Sequence, residues 1–300
     1  MIIINIKGGL GNQMFQYALY SVLRAYRDDV MISTIDFEFA QTGLYKGIPE
    51  HGATFILKDI FDVECNIASH DVVQKYVYMD NNMITRVLRH YKINKKGYFA
   101  EQQMEDRSLN ALLGLKNAFL DGYWQRFSYY EHMQEEIRRI FKFKKTLEGR
   151  NAELAREIGC TNSVSLHVRR GDYLKNSLYA IQTEDYYLDA IEYIKKRVVA
   201  PRFYCFSDDI EWCENRFGAL GMEFTYIDWN KGKDAYIDMQ LMSMCRHNII
   251  TNSSFSVWGA WLNNNSEKIV VRPRHYYTNK DKDDSYEWGY PYLLTKDEAL

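Results

Sequence analysis

The chain has 300 residues, 46% hydrophobic and 26% charged, with only 4 Pro and 17 Gly. That composition excludes disorder and collagen-like or low-complexity repeats, and the length suits two domains of ordinary size. A formal net charge of −2, from 38 Lys and Arg against 40 Asp and Glu, excludes a general nucleic-acid binder and leaves phosphate recognition to a few placed cations.

In chain order, residues 2–7 predict a short strand, Gly8-Gly9-Leu10-Gly11-Asn12-Gln13 a tight glycine turn, and Phe15, Leu19, Val22 and Tyr26 a helix. Residues 30–35 read as a second strand that delivers Asp36 and Glu38 at its carboxyl end, completing a βαβ unit. From 40 to 115 there are short apolar pieces, no internal repeat, and a basic segment over 86–96. That segment is a solvated face or, alternatively, a weak contact with an anionic membrane surface. Residues 118–124 read as a strand, 129–141 as a helix with Glu early and Arg late, and the polar stretch 144–162 as the domain boundary. Two domains, 1–150 and 151–300, are therefore expected.

The second half alternates strictly. Apolar runs at 164–168, 203–206, 223–227, 248–250 and 268–271 are separated by helical patterns at 183–199, 209–218, 234–246 and 254–262. Such a chain forms a parallel sheet with right-handed crossovers, and ligands bind beyond the carboxyl ends of the strands. The expected fold class is therefore α/β, two Rossmann-like halves facing each other across a ligand cleft. Cys65, Cys160, Cys205, Cys213 and Cys245 are scattered, without a CxxC pair or zinc-site spacing, which points to a reducing cytoplasm. The chain opens without a basic leader, and nowhere do about 18 apolar residues run together, so no signal peptide or membrane span is expected.

The polar residues follow the strand ends. His167, Arg169, Arg170 and Asp172 end one strand, Ser207, Asp208 and Asp209 the next, and Asn252, Ser253 and Ser254 another, followed by Phe255. An arginine fork matches two phosphate oxygens, while serine hydroxyls and helix-start amides solvate an anion without adding charge. Arg169 or Arg170 with Ser253 and Ser254 thus suits a diphosphate, and Asp208 or Asp209 suits the two adjacent N–H donors of guanine. Plainer readings stand beside these: Arg170–Asp172 as a loop tie, Asp208-Asp209 and Ser253-Ser254 as helix caps, His167 as a core histidine, and Trp258 with Trp261 as core. Asp281, Asp283 and Asp284 contain a DxD pattern, but in a charged tail with Lys280 and Lys282, and no metal is expected there.

Four segments together resemble the inverting α-1,2-fucosyltransferases of glycosyltransferase family eleven: GGLGNQMFQYA at 8–18, HVRRGDY at 167–173, FSDD at 206–209 and NSSFSVWGAWL at 252–262. Gly122-Tyr123-Trp124-Gln125 is similar to a fifth. The resemblance implies a GT-B-type fold, with GDP-fucose held by the carboxyl-terminal half and a galactose-terminated acceptor by the amino-terminal half. It implies that Arg169 meets the β-phosphate, with His167 and Asn12 also at the reaction, Asn12 reaching the donor across the cleft. Donor binding falls to Gly9, Gly11, Gln13, Arg170, Asp208, Asp209, Ser253, Ser254 and Phe255. Asp172 and Trp258 are structural members of their motifs. One departure is plain: Val257 stands where the family usually has a second Trp.

Inverting transfer needs a cation at the departing diphosphate and a base for the attacking 2-hydroxyl of galactose. With no DxD at a strand end, Arg169 takes the place of a metal, so no cofactor is expected and GDP-fucose is a co-substrate. The base candidates are His167, Asp36, Glu38 and Asp121. Competing readings are a related transferase with another GDP-sugar or a peptide-hydroxyl acceptor, a non-catalytic sugar-binding protein, and a nucleotide-dependent oxidoreductase. The last fails its fingerprint, since Met14 stands where a third Gly or Ala belongs.

Overall fold

Ile2, Ile3 and Ile4 are fully buried in β1 (Ile2–Asn5), an interior strand of the first of two parallel sheets. A parallel strand covered on both faces reads as an unbroken apolar run, and this one does. The computed structural model describes residues 1–41, 54–80, 82–91, 93–280, 283, 287 and 289. The chain divides into two units, Met1–Lys144 and Lys145–Leu300.

In the first unit β1 is flanked by β2 (Val30–Ser33) and β4 (Ala118–Asp121), with β3 (Tyr98–Ala100) outside β4, giving the order β2-β1-β4-β3. The registers Asn5↔Ser33, Ile4↔Leu120 and Ala100↔Asp121 bring the four carboxyl ends to one edge. The Leu10–Tyr26 helix follows the glycine turn. β2 stops at Ser33, short of the expected 35, because the Ile35 amide bonds the Ser33 hydroxyl (3.3 Å) and the chain enters the Ile35–Gln41 helix. Asp36 and Glu38 therefore lie in the first turn of a helix rather than at a strand end. The helix expected over 129–141 is also broken, into 3-10 turns at Phe127–Tyr129 and Glu131–Met133 and the Gln134–Ile140 helix. Tyr129 and Tyr130 are both 1% exposed, and Tyr130 leaves helical geometry between the two turns (φ −128°, ψ 18°), so the ring pair interrupts the helix.

The second unit holds β5 (Asn162–Val168), β6 (Pro201–Ser207), β7 (Phe224–Ile227), β8 (His247–Ile249) and β9 (Val270–Val271) in the parallel order β7-β6-β5-β8-β9. Their crossovers are the helices Glu184–Lys195, Ile210–Phe217, Tyr236–Met244 and Ser254–Leu262. Val164, Leu166 and Val168 pack with Ile191, Ile194, Phe203 and Phe217 in its core. The polar stretch 144–162 is mostly not a linker: it contains the Gly149–Cys160 helix, whose Leu154 and Ile158, four residues apart, are buried. Its many polar residues cover the outer face of an amphipathic helix, so composition alone suggested a boundary several residues too long. Among the described residues, no helix is long and apolar enough to cross a membrane.

Candidate active site

β5 and β6 are in register to Val168↔Ser207, and β5 and β8 to Leu166↔Ile249. Continuing those registers sets the loop after Val168 between the loops after Ser207 and Ile249. The Tyr173 hydroxyl, bonded to the Asn252 carbonyl at 2.8 Å, ties the first and last of these together. The three polar strand ends read from the sequence in this half therefore meet.

Arg169 is gripped from one side. Its Nε lies 2.8 Å from Asp172 Oδ1 and 3.2 Å from Asp208 Oδ2, which leaves Nη1 and Nη2 without a hydrogen bond among the described residues. Arg170 is held more completely: its backbone N–H donates to Asp208 Oδ1 (2.9 Å), its Nε to Asp209 Oδ2 (3.1 Å), and its guanidinium lies 4.2 Å over the Trp212 ring. The arrangement corrects one expectation: Asp172 pairs with Arg169 rather than Arg170. Asp208 and Asp209 both hold arginines, and Asp209 also caps the Ile210–Phe217 helix through the Trp212 amide (3.3 Å).

His167 ends β5 with only 6% of its surface exposed, its ring 5.8 Å from that of Phe255. Burial, reinforced by the charge of Arg169, pushes its imidazole down to about 3. It is therefore neutral at physiological pH and a weak base. Its Nδ1 is buried without a hydrogen-bond partner among the described residues. Ser253 is the N-cap residue of the Ser254–Leu262 helix, and its side chain makes no cap hydrogen bond. A helix start favours negative charge, as does a guanidinium with open amino groups. Trp258 is fully buried, edge-on to Trp261 at 5.2 Å, and Val257 is equally buried, so the place of the missing Trp is in the core.

At the carboxyl edge of the first sheet, the glycine that the turn requires is Gly8, with φ +78° and room for a Cβ only 2.9 Å from Asn12 Nδ2. Gly9 is the helix N-cap, accepting the Asn12 and Gln13 amides at 3.0 Å, and Gly11 is buried in the first turn. Gln13, expected at the donor, is instead fully buried: its amide nitrogen donates to the carbonyls of Gly8 (2.8 Å) and Thr54 (2.9 Å), and its oxygen accepts from Ile56 (3.1 Å). Asn12 Oδ1 accepts from Gln125 Nε2 at 2.7 Å, which joins the first motif to the GYWQ segment.

That segment turns around a residue the sequence reading missed. Glu101 Oε2 accepts the amides of Tyr123 (2.8 Å) and Trp124 (3.0 Å), a Cβ on Gly122 would collide with it, and Trp124 is left-handed at φ +53°. Gln16 was also missed; it joins the Lys7 amide and the Gly122 carbonyl, both at 2.9 Å. Asp121 accepts from Lys7, from Asn5 (3.0 Å) and from Tyr98 (2.6 Å). Burial opposes its ionisation, but the Lys7 charge and these bonds prevail and hold it below the ordinary carboxylate range. Asp36 sits by the same lysine and carboxylate; burial, opposed by Lys7 and supported by Asp121, raises it to about 6. Glu38 is apart from them, paired with His70 at 2.7 Å and 46% exposed. Lys7 stands next to the glycine turn, a signal that the prominence of the glycines obscured.

Of the tail acids, Asp283 accepts the Tyr277 amide (2.9 Å) and pairs with His275 (2.6 Å), while Asp281 and Asp284 lie outside the described residues. Among the described residues no cluster of three or more His, Cys, Asp or Glu could hold a metal. In the region of the basic segment, the Met83–His90 helix and the turn after it leave Met83, Ile84, Val87 and Tyr91 exposed.

The family described as Glycosyl transferase family 11 matches residues 63–293. An alpha-1,2-colitosyltransferase of Escherichia coli is 33% identical over 288 residues, 94% of this chain and 94% of the relative. The O-antigen biosynthesis glycosyltransferase WbnK of Escherichia coli is 31% identical over 297 residues, 92% of this chain and 95% of the relative. Among solved structures, fucosyltransferase NodZ from Bradyrhizobium superposes with a TM-score of 0.52 at 16% identity, over 86% of this chain and 92% of that one. At that identity the likeness speaks for fold alone, and it bears out the α/β, GT-B-type fold class.

Proposed function

Because the chain belongs to glycosyl transferase family 11, we propose that it moves L-fucose from GDP-fucose to the 2-hydroxyl of a terminal galactoside, inverting the anomeric centre to an α-1,2 linkage. One observation carries the chemistry: Arg169 is clamped through Nε by Asp172 and Asp208 while both terminal amino groups remain unbonded among the described residues. A guanidinium fixed on one side and open on the other is a preorganised fork for a diphosphate. As the glycosidic C–O bond lengthens, the β-phosphate gains charge, and Arg169 with the start of the Ser254–Leu262 helix stabilises it. Arg170, Asp208 and Asp209 position the fork, and Asn12 with Gln125 fixes the glycine turn of the other unit. The carboxyl-terminal unit holds the donor, the amino-terminal unit the acceptor, and no metal takes part.

A second reading has its own support. The colitosyltransferase relative points to the same α-1,2 linkage with a different deoxy sugar on the nucleotide. Incubation with GDP-fucose and with GDP-colitose, each against a panel of β-galactosides, followed by NMR assignment of the product linkage, decides between them. Transfer of fucose to galactose O2 is the expected result. Transfer of colitose alone establishes the second reading, and binding of free sugars without GDP affinity or transfer overturns both.

A further inference from the structure

Inverting transfer leaves one proton to be placed, that of the attacking hydroxyl, and the carboxyl edge of the first sheet carries a cluster suited to it. Asn5 and Lys7 follow one another at the end of β1, Asp121 ends β4, and Asp36 lies in the helix after β2. We propose that Asp36 is the general base, accepting the acceptor hydroxyl's proton while the Lys7–Asp121 pair holds the cluster in place. The inference rests on the GDP-sugar transfer reading and adds to it the residue that meets the acceptor.

The geometry divides the two carboxyls between different roles. Asp121 is engaged by Lys7, Asn5 and Tyr98, all donating to it, and the Lys7 charge and these bonds hold its proton affinity low. Asp36 forms no ion pair with a described residue. Lys7 bonds to Asp121 and stands 5.6 Å over the Tyr123 ring, neutralising the neighbouring carboxylate without neutralising Asp36. Asn5 ties the two carboxyls together: it is 2% exposed, and its side-chain amide donates to Asp121 (3.0 Å) and bonds the Asp36 carboxylate, which favours the ionised form of each. Of the other candidates, His167 is 6% exposed with its basicity lowered by burial and Arg169, and Glu38 is paired with His70.

The groups facing Asp36 are Asn5 and Lys7 from the end of β1 and Asp121 and Tyr123 from the end of β4. Their balance, with burial, leaves the carboxyl ionised above about pH 6, where a base of moderate strength works best near neutrality. The step balances. The acceptor oxygen forms its bond to the sugar C1, the C1–O bond to the β-phosphate breaks with its electron pair leaving on GDP, and the hydroxyl proton ends on Asp36.

The test is Asp36→Asn in the full chain, with Asp36→Glu beside it, followed through GDP release with acceptor, GDP affinity by calorimetry, and a pH profile. The Asn variant is expected to lose about 10²- to 10⁴-fold in kcat, with GDP affinity unchanged and the acid limb of the wild-type profile near pH 6 abolished. The Glu variant regains part of the rate. A wild type that transfers sugar, with an Asn variant that keeps its rate within threefold and keeps the acid limb, overturns this inference alone. A wild type that transfers from no GDP donor overturns the functional reading and this inference with it.

Discussion

Gly171 leaves the space that Asp208 occupies: a Cβ at 171 would lie 2.8 Å from Asp208 Oδ2, the oxygen that stands 3.2 Å from Arg169 Nε. The arginine clamp thus depends on a missing side chain two residues away. Gly171→Ala should push the carboxylate off Arg169 and lower kcat/KM about 10- to 100-fold, the scale on which displacements near 1 Å act. Gly171 is exposed, so the thermal midpoint should hardly move. An Ala variant with full activity would show that the Asp208 contact is dispensable.

Arg169→Ala should reduce kcat about 10²- to 10³-fold, as loss of a preorganised donor does. Arg169→Lys should recover little, because an ammonium cannot bond two carboxylates and a diphosphate in one plane. Steady-state rates of both variants check this. A Lys variant near wild type would reduce Arg169 to a simple charge.

On the proposed role of Arg169 as the charge at the departing phosphate, activity should survive EDTA dialysis and be insensitive to added Mg²⁺ or Mn²⁺. Initial rates with and without chelator measure it. A tenfold dependence on metal would transfer that role to an ion.

His167 should make stability fall with acid. Its imidazole titrates near 6.5 in the unfolded chain and near 3 when folded, since burial and then Arg169 disfavour the cation. The lowered pKa means that its full contribution is present above pH 6.5 and is lost as pH falls towards 3, by up to about 1.4 kcal/mol per pH unit. Urea midpoints of wild type and His167→Gln between pH 7.5 and 5 should therefore converge in acid, with about 2 kcal/mol of differential loss at pH 5. Parallel curves would refute the buried neutral imidazole.

Several features were legible because local pattern implies them. Strict alternation of apolar runs and helical spacing in the second half foretold five parallel strands, each within a few residues of its observed bounds. The cations and carboxylates after β5 and β6 announced a polar strand edge. The pairing within that edge was hidden, because Asp208 and Asp209 look identical in sequence while one grips Arg169 and the other caps a helix. Gln13 and Gln16 looked alike too, yet they anchor different segments, around Thr54 and around Gly122. Glu101 had no local signal, since its task is to close a turn more than twenty residues away.

Sequence by itself determined the α/β class, the glycine turn and the stock of arginine, serine and carboxylate at strand ends, because backbone period and side-chain type act over a few residues. Tertiary structure alone decided which carboxylate is engaged and which is poised. Asp36 and Asp121 are the same residue type, 85 positions apart, both buried beside Lys7, and the direct bonds of Lys7 and Tyr98 to Asp121 separate the one held ionised from the one raised to about 6. Electrostatic environment depends on distance in space, and the fold sets that distance.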